Sequence, residues 1–143
     1  MSDMNWKLIV QLSLFGVGMG FATVSLIPSK IEPAFWLVIF LACAYFIAKA
    51  RPSHLFFHGL LLGLVNSVWI TSAHVLLFDT YVARHAQEVT MMRSMPFEAS
   101  PRLTMAMTGP VVGLISGVVI GLLTLAAGKL VKAPVEASGK SVV

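Results

Sequence analysis

Four histidines, His54, His58, His74 and His85, crowd into one stretch of the chain together with Asn66, Ser67, Thr71, Tyr81 and Glu88. Projected as a helix at about 100° per residue, Gly59, Gly63, Asn66, Ser67, Thr71, His74, Tyr81, His85 and Glu88 share an arc of about 140°. Leu55, Leu62, Trp69 and Leu76 occupy the other side. An imidazole near neutral pH can donate one proton and accept another, so His74, with the amide and hydroxyls around it, is the first candidate for a proton or ion path. The simpler chemistry for the same stripe is interhelical hydrogen bonding, worth roughly 1 kcal/mol per contact. No carboxylate accompanies the stripe inside the apolar block, and Asp79, the nearest acid, reads as an anchor of the helix end.

Metal ligation is the other chemistry these residue types offer. His54 and His58, at i and i+4, point the same way, and His85 and Glu88, at i and i+3, form a second partial pair. Met92 and Met95, with Met91, Met105 and Met107 nearby, have thioether spacing suited to Cu(I), although flexible apolar packing of a loop on the bilayer surface explains them as well. Di-iron bundles use paired copies in the order Glu-x-x-His and more carboxylates than these helices offer, and bis-histidine haem ligation would need rings facing each other from different segments. These pairs are weak candidates, and no resident cofactor is expected. Phosphate-binding loops, metalloprotease helices, nucleophile elbows and C-x-x-C pairs are absent. The single cysteine, Cys43, lies in the middle of an apolar block, so no catalytic group is expected either.

The elements that must position these residues follow from composition. Of 143 residues, 57% are hydrophobic and only 11% charged, and the mean hydropathy is +0.87. Soluble globular domains carry roughly 25% charged residues, so this composition excludes a water-soluble fold and equally excludes disorder. The formal charge of +4 comes from basic residues that flank apolar blocks, without the aromatic interleaving of a nucleic-acid surface. Four uncharged blocks stand out: Leu8 to Ile27, Pro33 to Ala48, Leu55 to Phe78 and Gly109 to Gly128. At 1.5 Å per residue the first, third and fourth cover a hydrocarbon core of about 30 Å, and the second, at roughly 16 residues, is the shortest. The first block is longer than the core of a cleavable secretory signal, and reads as a span.

The fold class expected is therefore an all-α integral membrane protein. Residues 1–132 form four transmembrane helices in an antiparallel bundle, helix three continues beyond the bilayer, residues 80–108 form an outer loop, and residues 133–143 form a flexible tail. An even number of spans puts both termini on one side, where Lys7, Lys49, Arg51, Lys129, Lys132 and Lys140 outnumber Lys30, Arg84, Arg93 and Arg102 by six to four. That bias predicts cytoplasmic termini in a bacterial inner membrane.

In the fourth block Gly109, Gly113, Gly117 and Gly121 recur every fourth residue, and Gly16 and Gly20 make a shorter version in the first, continued by Ser13 and Thr23. Glycine costs up to about 1 kcal/mol in a helix interior, so four on one face call for close packing. Packing of helices one and four within the chain and a homo-oligomer seam are the two uses considered. Pro110, after Thr108 as a cap, is placed in a first helical turn. The function expected is structural or accessory, in the lipid bilayer and within a homo-oligomer or larger membrane complex, without nucleic acid. The alternative is a small carrier or channel for protons or a metal ion along the polar face of helix three.

Overall fold

In lipid a backbone N–H or C=O has no water to bond, so an uncharged apolar run satisfies its own peptide groups as helix. The computed structural model describes residues 4–50, 52–94 and 100–131, and they are helical almost throughout, without a strand among the described residues. The helices are α1 (Trp6–Ser25), α2 (Glu32–Ala50), α3 (Leu55–Leu76), α4 (Phe78–Arg84), α5 (Ala86–Arg93) and α6 (Pro101–Leu130). Four of them, α1, α2, α3 and α6, are long and apolar enough to cross a membrane. Their outward faces carry half-exposed or more exposed Leu14, Val38, Val111 and Ile115, as helices solvated by acyl chains should. The chain is an integral membrane protein with four spans. The second span gains residues at both ends and reaches 19, with Glu32 in its first turn and Lys49 in its last, each complementing the helix dipole.

Around the bundle the spans pack in the order α1, α3, α6, α2. Residues 59, 63, 67 and 71 of α3 meet residues 121, 117, 113 and 109 of α6, so these two helices run in opposite directions. Asn5, which caps α1, and Gly16 and Thr23 within it meet His58, Asn66 and His74 in rising order, so α1 runs alongside α3 in the same sense. A fully buried cluster of Leu12, Cys43, Ile47, Leu62 and Ile120 joins all four spans, and Cys43 is a core side chain within it.

Several expectations are corrected here. The α6 ladder packs on α3, not on the first helix: a Cβ at Gly59 would lie 2.6 Å from Gly121 Cα, and Gly63 sits directly against Gly117. The glycines of α1 likewise face α3, Gly16 against Asn66 and Gly20 against Ala73 and Ile70. Helix α3 carries glycine on one side for α6 and accommodates the α1 glycines on the next, which places it at the centre of the packing. The polar helix is also not continuous. At Leu77 the backbone leaves the helical region (φ −102°, ψ 29°) and at His85 it does so again (φ −124°, ψ 60°), which divides the extension into α4 and α5. Residues 80–89, expected to continue helix three, are helical in two separate pieces, and residues 90–93 and 101–108, expected as loop, are helical as well. The last helix starts at Pro101, so Pro110 lies well inside it rather than in a first turn. Thirty residues reach about 45 Å, beyond the hydrocarbon thickness, so the early turns of α6 stand outside the lipid core. The C-terminal tail and Met95 lie outside the described residues.

Candidate functional site

Small residues decide where the site lies. Helix α2 is buried only through Cys43, Ala44, Ile47 and Ala48, all in its C-terminal half, where short side chains allow close approach. Its N-terminal half has no buried residue, and there Trp36 and Phe40 line the space between it and α3 and α6, while Phe35 is exposed. The helices thus form a wedge that opens toward the α2–α3–α6 end bearing Tyr81, with a cavity of about 630 Å3. Along α6 the lining runs from Met105 to Ile120, roughly 22 Å of helix.

The wall contributed by α3 is the polar stripe: Asn66, Ser67, Thr71 and His74 all line the cavity, as does Tyr81 from α4. Asn66 is 3% exposed, with its oxygen side packed against Gly16, and neither Nδ2 nor Oδ1 has a hydrogen-bond partner among the described residues. Ser67 Oγ donates to the Leu64 carbonyl at 2.8 Å. The Thr23 hydroxyl gives its one proton to the Met19 carbonyl at 2.8 Å, so its 2.9 Å contact with His74 Nε2 is accepted from the ring.

From His74 outward the rings form a series. His74 and Tyr81 have centroids 4.6 Å apart, and Tyr81 and His85 stack at 4.3 Å and 12°, although two helix breaks separate them. His85 is buried, with Nδ1 donating to the Tyr81 carbonyl at 3.0 Å. Glu88 takes a hydrogen bond from the Ser29 hydroxyl, the largest influence on its carboxyl, and with its own backbone N–H and the nearby His85 this holds the carboxyl below the usual range against the opposing effect of burial. Burial, together with the negative charges of Glu88 and Glu32, pushes the Tyr81 phenol up to about 12. A raised phenol favours the neutral form, so Tyr81 stays protonated throughout the physiological range. Its contribution to stability is complete below pH 10 and declines as pH rises from there toward 12. The chain has two tyrosines, so a Tyr45→Phe variant leaves Tyr81 alone, and its absorbance titration is expected to show a midpoint near pH 12. A midpoint at the free-phenol value near 10 would remove Tyr81 from the buried stack.

The suggested metal pairs do not gain a site. His58 is fully buried, with Nδ1 donating to the His54 carbonyl at 2.7 Å and Nε2 accepting the Asn5 N–H at 3.0 Å, so it has no lone pair to offer. Its partner His54 is exposed and lies edge-on to Phe57. The role of His58 is to tie the start of α1 to α3, since Asn5 also caps α1 by accepting from Leu8 N at 3.1 Å. His58→Leu is expected to destabilise the bundle by about 1–3 kcal/mol in a denaturant titration in micelles, because the anchor is removed. An unchanged midpoint would mean that the anchor contributes nothing. At the second pair, His85 Nδ1 is engaged and Glu88 is held by Ser29. No three His, Cys, Asp or Glu side chains come together among the described residues. The Met92 side chain, like Met95, lies outside what is described. Asp79, expected as an anchor, meets Arg102 through both carboxylate oxygens at 3.3 Å and so ties α4 to α6.

The stripe on α3 was legible from spacing, but its facing wall was not. Glu32, which accepts the Trp36 indole N–H at 3.0 Å, and Phe40 come from α2, and Thr108 and Ser116 from α6. The i,i+4 spacing of Glu32 and Trp36 was the one available signal. Comparisons of the chain with protein-family models, with curated proteins and with solved structures return no match.

Proposed function

We propose that this chain is a small multi-pass protein of a bacterial inner membrane, with both termini cytoplasmic, serving a structural or accessory role and not catalysing a reaction. The observation that carries this reading is the α3–α6 seam. Glycines on both helices bring backbone against backbone, so the two spans form a rigid unit without any reacting group between them. The whole α6 ladder is occupied inside the chain, so a larger assembly would use the outer face of α6, where Leu114, Ile115, Val118 and Leu122 point outward. Six basic residues against four support the orientation.

A carrier or channel for protons or a metal ion is the second reading, favoured by the ring series His74, Tyr81 and His85 at one end of the cavity. Against a conduit stands the buried cluster of Leu12, Cys43, Ile47, Leu62 and Ile120, which lies between the cavity and the end where the termini are. An ion crossing it would lose its hydration without replacement ligands. Reconstituted vesicles decide between the two. The accessory reading expects proton and metal leakage equal to that of empty vesicles, no stoichiometric metal and no haem absorbance. Flux above background that disappears in folded His74→Leu protein would replace it with the carrier. Reporter fusions that place the two ends in different compartments would overturn the four-span arrangement itself.

A further inference from the structure

On α2 the residues Glu32, Trp36 and Phe40 follow one another at four-residue steps, which puts them on one ridge of the helix with about 6 Å of rise between successive positions. All three line the cavity between α2, α3 and α6. Glu32 Oε1 accepts the Trp36 indole N–H at 3.0 Å, and the Trp36 and Phe40 rings lie 5.7 Å apart at 46°. The wall supplied by α2 is thus a carboxylate at the open end, followed inward by two rings, the first of which it holds in place. Among the described residues Glu32 Oε2 has no hydrogen-bond partner and Glu32 forms no ion pair.

Charge at this end of the cavity is negative and unbalanced. Burial is the first cause of the high Tyr81 value, and the charges of Glu88 and Glu32 add to it, so the field of both carboxylates reaches the lining. No lysine or arginine stands among the described lining residues. Two arginines of this end are engaged elsewhere: Arg102 meets Asp79 at 3.3 Å, and Arg84 donates to the Ser25 carbonyl at 3.4 Å.

These properties select the occupant. An anion would meet a carboxylate without a counter-charge. A divalent metal ion needs several oxygen ligands, and no three His, Cys, Asp or Glu side chains come together among the described residues. A neutral molecule filling the open end would strip water from the Glu32 carboxylate and offer no answering charge. An organic cation meets each requirement. Its charge pairs with Glu32, the π-electrons of Trp36 and Phe40 attract it, and its apolar part packs on Ile70, Val112 and Ile120. The volume of about 630 Å3 accommodates a molecule of that kind.

We infer that the cavity binds a monovalent organic cation, an ammonium ion with an apolar body, whose charged nitrogen sits beside the Glu32 carboxylate and the Trp36 ring. The site goes beyond the accessory role, which requires only the α3–α6 seam and stands whatever the cavity holds.

The probe is tritiated benzyltrimethylammonium, titrated into the full chain in phosphatidylcholine nanodiscs, with retained label as the signal. Saturable binding at one per chain is expected. It should weaken about tenfold in Glu32→Gln, which keeps an oxygen for the Trp36 N–H and removes only the charge, and by about the same factor in Trp36→Leu. Asp79→Asn removes an equal charge from an exposed position outside the lining and should leave binding unchanged. Neopentylbenzene, which has the same shape without the charge, should compete at least about tenfold more weakly than the unlabelled cation. Benzenesulfonate and magnesium ion should fail to compete. Melting curves establish that each variant is folded, and the competition series on the unmodified chain stands without any variant. Absence of saturable binding, unchanged binding by folded Glu32→Gln, an equal loss in Asp79→Asn, or displacement by the neutral, anionic or divalent competitor as effective as that by the cation would overturn the assignment.

Discussion

Gly117→Leu is expected to remove most of the folded bundle from mild detergent. A Cβ at this position would lie 2.5 Å from the Leu60 carbonyl oxygen and 3.1 Å from Leu60 Cα, which are backbone atoms of a neighbouring span and cannot rotate aside. The better helix propensity of leucine returns less than about 1 kcal/mol. Overpacking a tight interface costs about 1–3 kcal/mol, and separation of α3 from α6 also forfeits the dispersion contacts along the rest of the ladder. We expect a net loss of about 3 kcal/mol or more, read as a fall in the denaturant midpoint in mixed micelles. Gly18→Ala is the matched control: a Cβ there meets nothing within 4 Å, so the change should be neutral or stabilising by up to about 1 kcal/mol. Equal responses at the two positions would mean that the ladder has no packing role.

Asn66→Leu is expected to do the opposite and raise the stability of the protein. The native state holds the Asn66 amide with both polar atoms buried and unpaired among the described residues. In separated helices the same amide can find water, lipid carbonyls or another helix. Leucine has a similar volume and removes that mismatch, for a gain of about 1–2 kcal/mol. The gain should appear as a raised denaturant midpoint in mixed micelles. A large loss of stability instead would show that the amide is bonded in the folded protein.

The two substitutions sit at different levels of legibility. The glycine spacing of α6 is visible in the sequence because a period of four in an apolar helix has few uses in lipid. Its partner was not visible. The glycines of the first and third spans are spaced alike, and periodicity alone says nothing about which helix lies beside which. The polar face of α3 could be projected as far as His74, but beyond it the projection assumed an unbroken helix. The breaks at Leu77 and His85 nevertheless leave Tyr81 and His85 stacked in line with His74. That arrangement comes from ring packing and not from helical phase. Pro110 was misplaced for a related reason: a proline lacking its N–H marks a boundary only where the residues before it are not helical, and here they are.

What the sequence determined by itself is the solvent and the number of crossings. Uncharged runs long enough to span hydrocarbon must satisfy their own peptide groups, and helix is the one local way to do so. What only the tertiary structure decided is which glycines meet and where the bundle fails to close. Both depend on side-chain volume summed across helices distant in the chain: short residues bury the end of α2 that carries Ala44 and Ala48, and its other end, with Trp36 and Phe40, borders the cavity.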